Sequence, residues 1–317
     1  MKILVPQSID FSAPNTQDAD FIVFDQKADI PEEHWDAEVL VVWDMPFAQQ
    51  QKAAMQLRNL RCVQALSAGV DSLLALDFPE STVICSGSGL HTIPVAEHAL
   101  FLLLTAARRG HELRDLQHQR TWAKHLGGVQ PVHPKHDFRS LDQANVVIWG
   151  FGSIGSYLAA ILKQLGANVT GVATEAGERD GFPVVTESQL DEVLPAAHAL
   201  VMILPSTPGT RQALNADRIA QLPAHAWVVN VGRGSTVDEA ALVDALQRQR
   251  IAGAALDVFA TEPLPQDSPL WELPNAIISP HAAGGRPLGA QDLILRQVSH
   301  LIKGEALENA VSARKGY

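Results

Sequence analysis

Apolar residues come in short runs separated by polar turns, and the length of the runs is the first structural signal. Lys2–Val5, Phe21–Phe24, Val39–Trp43, Cys62–Leu66 and Thr82–Cys85 are of strand length. Ala48–Leu60 carries helical spacing between two of them. The same alternation resumes further on, where Val146–Trp149, Asn168–Val172, Ala199–Leu204, Ala226–Val231, Gly253–Val258 and Ala276–Ser279 predict strands, with helical patterns between them, notably Asp238–Gln249. Continuous apolar runs of this kind suit strands buried on both faces, as in parallel sheets. A long helix is expected from Thr92 to about Arg109. Thr92 suits its cap, Pro94 its first turn and Glu97 its positive end. Its apolar content implies burial, as a bridge between domains. Gly289–Ile302 predicts an amphipathic helix, and the residues from there to Tyr317 read as a tail. The polar, histidine-rich stretch 110–140 reads as a solvated arm or a contact between subunits. The whole pattern is α/β, with doubly wound parallel sheets.

The chain is organised around one break in this pattern. The apolar run Val146–Trp149 ends in Gly150-Phe151-Gly152-Ser153-Ile154-Gly155, and Ser156–Lys163 then has helical spacing. A G-x-G-x-x-G between a strand and a helix fits a dinucleotide. Gly150 allows the tight turn, Gly152 lets backbone amides approach a pyrophosphate, and Gly155 lets the helix lie close on the strand. The anion would sit at the positive end of that helix.

Length and charge narrow the choices. A chain of 317 residues is long enough for two domains. A net charge of −11 without a basic block argues against nucleic acid as a partner. The longest apolar stretch, Ala99–Ala107, is far too short to span a membrane, and Met1–Pro6 is too short an apolar run for a signal peptide. The two cysteines, Cys62 and Cys85, lie in strand-like runs and read as buried free thiols, which suits the cytoplasm. His133 and His136 lack clustered cysteines or carboxylates, so no metal site is expected.

Candidate chemistry collects after the later strands, at the ends where open α/β sheets bind ligands. Asn230-Val231-Gly232-Arg233-Gly234 places an arginine between glycines. A guanidinium there can grip a carboxylate through two parallel hydrogen bonds. Asp257 and Glu262 supply carboxylates, and Ser279-Pro280-His281 supplies a histidine. Arginine, carboxylate and histidine at a nucleotide site suit reduction of a 2-oxo acid. The arginine holds and polarises the acid, the histidine protonates its oxygen, and the carboxylate orients the imidazole. Ser67-Ala68-Gly69-Val70-Asp71, after an earlier strand, forms a small-residue turn able to hold a carboxylate on backbone amides.

These pieces, with Val95-Ala96-Glu97-His98, Leu204-Pro205-Ser206-Thr207-Pro208-Gly209-Thr210, Leu256-Asp257-Val258-Phe259 and Glu262-Pro263-Leu264, run in the order seen in the D-isomer-specific 2-hydroxyacid dehydrogenases. The chain resembles that family. The resemblance implies two Rossmann-like domains with a cleft between them: a discontinuous substrate domain, 1–97 and 284–317, and a cofactor domain, 98–283. It implies Arg233, Glu262 and His281 as catalytic residues, with Ala68 and Gly69 at the substrate carboxylate. The cofactor would be held by Gly150, Phe151, Gly152, Ser153, Ile154, Gly155, Ala173, Thr174, Leu204, Pro205, Thr210, Val231, Gly232, Asp257 and Gly284. Asp257 would bond the nicotinamide carboxamide. A cytoplasmic homodimer reducing a small 2-oxo acid of the glyoxylate or hydroxypyruvate kind to a D-2-hydroxy acid is implied. Two rivals share the fold. A formate dehydrogenase would carry glutamine where Glu262 stands, and a cofactor-sensing binding protein would lack turnover.

The cofactor itself stays open between NAD and NADP. The ribose-reading position falls at about Ala173, which is not acidic, while Thr174, Glu175 and Arg179 lie close by in sequence. Trp43, Leu90, Trp122 and Arg286 are candidates for the substrate pocket.

Overall fold

Along Asn145–Trp149 the side chains alternate between two cores, Val146 and Ile148 entering one and Val147 and Trp149 the other. A strand built this way needs cover on both faces, and the computed structural model, which describes residues 1–14, 17–130 and 137–311, shows helices on both sides of a parallel sheet. The chain forms two compact units, Met1–His91 with Gly284–Tyr317, and Thr92–Ala283. The first boundary lies ahead of the expected residue 97. The helix starting at Thr92 is continuous to Ala107, and its buried face packs in the core of the second unit.

In the first unit, β1 (Lys2–Pro6), β2 (Asp20–Phe24), β3 (Val39–Val42), β4 (Cys62–Ala65) and β5 (Val83–Cys85) form a parallel sheet of order β2-β1-β3-β4-β5. Helices α1 (Phe47–Gln56) and α2 (Asp71–Leu74) follow β3 and β4. One face, with Leu4, Leu40 and Val63, packs in a core with Ala53 and Leu57. The other, with Ile3, Val5, Val39 and Val41, is covered by Leu293, Ile294 and Val298 of the last helix (Ala290–Lys303). Cys62 and Cys85 are free and buried, and their mutual hydrogen bond, with burial, pushes the Cys62 thiol well up.

The last helix also buries a glutamine. Gln297 donates from Nε2 to Gln64 Oε1 at 2.6 Å and to the Glu308 carbonyl at 2.8 Å, and its Oε1 accepts from the Glu308 amide at 2.9 Å. The segment after this helix is therefore no tail as far as Val311. Ser86 N donates to Asn309 O and Val311 N to Ile84 O, which closes the outer edge of β5. An uncovered sheet edge is a row of unpaired backbone groups.

The second unit opens with α3 (Thr92–Ala107) and α4 (Gly110–His118). α4 lies in the expected arm, whose polar composition hid a helix with no buried residue. Its sheet comprises β6 (Asn145–Trp149), β7 (Asn168–Ala173), β8 (Gly177–Arg179), β9 (Phe182–Thr186), β10 (Ala199–Met202), β11 (Trp227–Asn230), β12 (Gly253–Leu256) and β13 (Ala276–Ile278). The order is β13-β12-β11-β10-β6-β7-β9-β8, parallel except for β8. Helices α5 (Ser153–Gln164), α6 (Leu190–Val193), α7 (Ala216–Gln221) and α8 (Glu239–Gln247) complete it, and the last helix becomes α9. The strand order reverses between β6 and β10, so the loops after these two strands bound the crevice where doubly wound sheets take ligands. Burying side chains such as Ile148 or Leu200 contributes about 1.5–3 kcal/mol each, which fixes these strand ends.

No helix among the described residues is long and apolar enough to cross a membrane. Among the same residues no group of three or more His, Cys, Asp or Glu side chains could hold a metal, and His133 and His136 lie outside them.

Candidate active site

The glycine turn follows β6 directly. Gly150 has φ +104°, a left-handed conformation that glycine adopts without strain, and a Cβ there would lie 2.5 Å from Ile203 O. A Cβ on Gly155 would lie 2.7 Å from Gly150 O, so α5 can approach the turn only without a side chain. Gly152 is different, since its Cβ position opens into free space. It is the N-cap residue of α5, and no side chain caps the helix. The first amides of a helix have no partner within it and attract an anion. The turn thus fits a dinucleotide pyrophosphate in the way the glycine spacing requires. α5 starts at Ser153, inside the motif and earlier than the apolar spacing indicates.

The next loops at the crevice are braced by small polar side chains. After β10, Thr210 donates from Oγ1 to Pro205 O at 2.6 Å and accepts from Thr207 N at 2.9 Å. Leu204 is buried and Pro205 exposed. After β11, Asn230 Oδ1 accepts from Gly232 N at 3.0 Å, and its Nδ2 donates to Arg233 O at 3.1 Å. A Cβ on Gly232 would lie 2.7 Å from both Leu204 N and Leu204 O. Arg233 is half-buried, with Nη1 donating to Gly232 O at 2.8 Å. Asn230 escaped the sequence reading as a functional residue, although an asparagine two residues before a glycine is the signature of a side chain closing its own turn.

Glu262 and His281 meet across 19 residues. His281 Nδ1 lies 2.7 Å from Glu262 Oε2, and Glu262 Oε1 accepts from Phe259 N at 3.0 Å. The carboxylate is thereby oriented from the backbone, and the imidazole from the carboxylate. Since Glu262 accepts, Nδ1 carries the proton in this pair, and proton exchange with a ligand is left to Nε2. His281 sits at φ +52°, uncommon for a residue with a side chain.

Asp257 lies beneath the loop that follows β13. Its side chain has no exposed surface. It accepts from Ser279 Oγ at 2.5 Å, Ala282 N at 2.9 Å and Ala283 N at 3.0 Å. This carboxylate braces the loop that carries His281.

At the end of β7, Ala173 is half-buried and Thr174 exposed. β8 then turns back antiparallel to β9, and Arg179 on it donates through Nη1 to Phe151 O in the glycine turn. The sequence reading missed both strands. β8 is fully exposed and lacks an apolar run, and Pro183 interrupts β9. Pro183 is tolerated because it pairs only with Glu178 of β8, beyond the β7 register that begins at Val184.

In the first unit, Leu66–Val70 follows β4. Ser67 donates from Oγ to Gly69 O at 2.7 Å, Leu66 O lies 2.7 Å from His91 Nε2, and Ala68 is exposed. Of the pocket candidates, Leu90 is part of the core, Trp43 stacks on His91, and Trp122 is exposed. Gly284 and Arg286 belong to the first unit.

A family profile for the D-isomer specific 2-hydroxyacid dehydrogenase NAD binding domain matches residues 100–283. The chain is 32% identical over 302 residues to glyoxylate/hydroxypyruvate reductase A of Citrobacter koseri, covering 90% of each chain. The chain belongs to the D-isomer specific 2-hydroxyacid dehydrogenases. The same reductase of Salmonella paratyphi B is 33% identical over 293 residues, 89% of this chain and 88% of its own. A crystal structure of a family member from Xanthobacter autotrophicus, in complex with NADPH and MES, matches with a TM-score of 0.79 at 30% identity. That match covers 100% of this chain and 99% of the other. The family expected from the motifs therefore holds, and with it the α/β fold and the reading as a nicotinamide-dependent oxidoreductase.

Proposed function

We propose that this 2-hydroxyacid dehydrogenase reduces glyoxylate, hydroxypyruvate or a closely similar 2-oxo acid to the D-2-hydroxy acid, with NADPH as the preferred donor. The observation that carries the reading is the Glu262–His281 pair, which commits Nδ1 and leaves Nε2 for the substrate oxygen. The similar reductases of Citrobacter and Salmonella support the substrate class.

Gly150 to Gly155 hold the pyrophosphate, flanked by the loops of Leu204, Pro205 and Thr210 and of Val231 and Gly232. Arg179, which already reaches the glycine turn from β8, meets the 2′-phosphate, with Thr174 beside it. The family member solved with NADPH supports that choice. When bound, the reduced nicotinamide supplies hydride to the carbonyl carbon. Arg233 binds the carboxylate and polarises the carbonyl. His281 Nε2 gives its proton to the carbonyl oxygen as charge develops there, and Glu262 stabilises the imidazolium until that transfer.

The enzyme works in the cytoplasm as a homodimer. Phe101 and Leu104 on α3 and Leu113 on α4 expose large apolar side chains, a surface suited to a second copy. Sedimentation of the full chain as a monomer at micromolar concentration would remove that part.

The test is oxidation of NADPH and NADH, side by side, against glyoxylate, hydroxypyruvate, pyruvate and phenylpyruvate. Fast turnover of the two smallest acids with NADPH is expected. No turnover of any pair by protein that binds NADPH would overturn the reading in favour of a cofactor sensor.

A further inference from the structure

His98 belongs to no element of the reaction described so far, yet it reaches the loop that carries His281. It lies on α3, and its Nε2 is 2.8 Å from Ser279 Oγ and 3.2 Å from Asp257 Oδ1. The order of donors along this chain is fixed by chemistry. Asp257 is a carboxylate and only accepts, so Ser279 Oγ spends its single proton on Oδ1, 2.5 Å away. Ser279 Oγ must then accept from His98, so Nε2 of His98 carries a proton. Asp257 Oδ1 also accepts from Ala282 N and Oδ2 from Ala283 N, while the Asp257 carbonyl accepts from His281 N at 2.8 Å. The loop from Ser279 to Ala283 is wrapped around one fully buried carboxylate, with the histidine at its crest in a left-handed conformation.

We infer that His98 is a positioning residue for the reaction: through Ser279 and Asp257 it holds the Ser279–Ala283 loop in the conformation that aims His281 at the substrate oxygen. The conclusion rests on the assignment of His281 as the proton donor. Its geometric part stands apart from that assignment, because the contacts of His98 exist whatever the loop does.

Three observations require such a device. A buried carboxylate is costly unless several donors satisfy it, and here Ser279 Oγ, Ala282 N and Ala283 N all come from the loop itself, with His98 tying the first of them to α3. A residue at φ +52° persists only where its surroundings over-determine it. Finally, β13 is a short strand at the edge of its sheet, so regular pairing alone does little to hold the residues that follow it. His98 contributes a fixed point from a buried helix 181 residues away in sequence from Ser279. A shift of even 1 Å in a catalytic group can cost about a hundredfold in rate.

The experiment compares the parent enzyme with His98→Phe, His98→Gln and Ser279→Ala, in the full chain. Glutamine keeps an N–H donor of similar reach, and phenylalanine keeps only the ring. Hydrogen exchange of the peptide spanning 279–285 is read first, because it needs no turnover. We expect the amides of residues 281–283 to exchange about tenfold faster or more in His98→Phe and Ser279→Ala. Near-parent protection is expected in His98→Gln, with the β6 peptide unchanged throughout. With 2-oxo acid and saturating NADPH, kcat should fall about tenfold or more in the first two variants and return to within about twofold in the glutamine variant. NADPH binding, read by fluorescence, should stay constant. Parent-like exchange and rate in both His98→Phe and Ser279→Ala would overturn the inference. So would a glutamine variant as impaired as phenylalanine, or a loss of NADPH binding equal to the loss of rate. If His98→Phe does not fold, Ser279→Ala alone decides. Loop protection that depends on His98 in a parent without turnover would sink the proposed reaction and leave His98 as an anchor of the loop only, which overturns its catalytic role.

Discussion

Replacing Glu262 by glutamine tests the acid–base pair at its weakest point. The substitution keeps shape and an acceptor oxygen for His281 Nδ1, and removes only the charge. In the structure the carboxylate oxygen lies 2.7 Å from Nδ1, with side-chain exposures of 35% for Glu262 and 48% for His281. A hydrogen bond to a charged group contributes about 1.5–3 kcal/mol. Partial exposure places this pair in the lower half of that range, because water screens the imidazolium. A loss of roughly 1.5–2.2 kcal/mol from the proton-transfer step corresponds to a fall in kcat of about 13- to 40-fold. The assay is steady-state reduction of glyoxylate at saturating NADPH, with NADPH affinity measured separately by fluorescence. The affinity should remain within about twofold of the parent, since neither side chain touches the glycine turn. A kcat within about threefold of the parent would refute the argument, and so would a loss carried by NADPH affinity.

Three further expectations follow from single contacts. Gly152→Ala puts a methyl group into open space and should leave the urea midpoint unchanged while weakening NADPH binding about tenfold or more, so parent-like binding would mean that no pyrophosphate approaches there. Arg179→Ala should raise the KM for NADPH and leave that for NADH nearly unchanged, an equal effect on both being the result that would clear Arg179 of any contact with the 2′-phosphate. Arg296 pairs with Glu308 through two contacts, 2.7 and 3.1 Å, and its guanidinium holds that carboxyl below the ordinary value of 4.5. The folded state thus favours the ionised form, and the stabilisation is complete above pH 4.5 and lost as pH falls through the lowered value. Urea unfolding of Glu308→Gln should show a deficit of about 0.5–1 kcal/mol at pH 7 that vanishes in that acid window, and a deficit independent of pH would contradict the pairing.

The parallel strands and the glycine turn were legible because their signals are local. A continuous apolar run such as Val146–Trp149 can be buried on two faces only in a sheet covered on both, and Gly150 and Gly155 are demanded by atoms within the same βα unit or the adjoining strand. Glu262 and His281 could be named because each follows a strand, but their 2.7 Å contact is a product of the fold. What stayed hidden depends on distant partners or weak composition. Nothing around His98 or Ser279 in sequence announces their contact. The bonds of Asp257 to Ser279, Ala282 and Ala283 likewise join residues 22 to 26 positions apart. α4 lacks an apolar face, and β8 is held by backbone pairing with β9 that composition does not reveal.

The position of α9 sets an order of events during synthesis. The faces of β1 and β3 that α9 covers leave the ribosome early, while α9 itself emerges only after the whole second unit. Until then Ile3, Val5, Val39 and Val41 have no lid, and the edge of β5 lacks Asn309 and Val311. The second unit is contiguous in sequence, can bury its own core, and finishes first. A nascent chain halted between residues 283 and 290 therefore carries a complete second unit joined to an open, adhesive half-sheet. Only the arrival of the last helix takes that apolar face out of water.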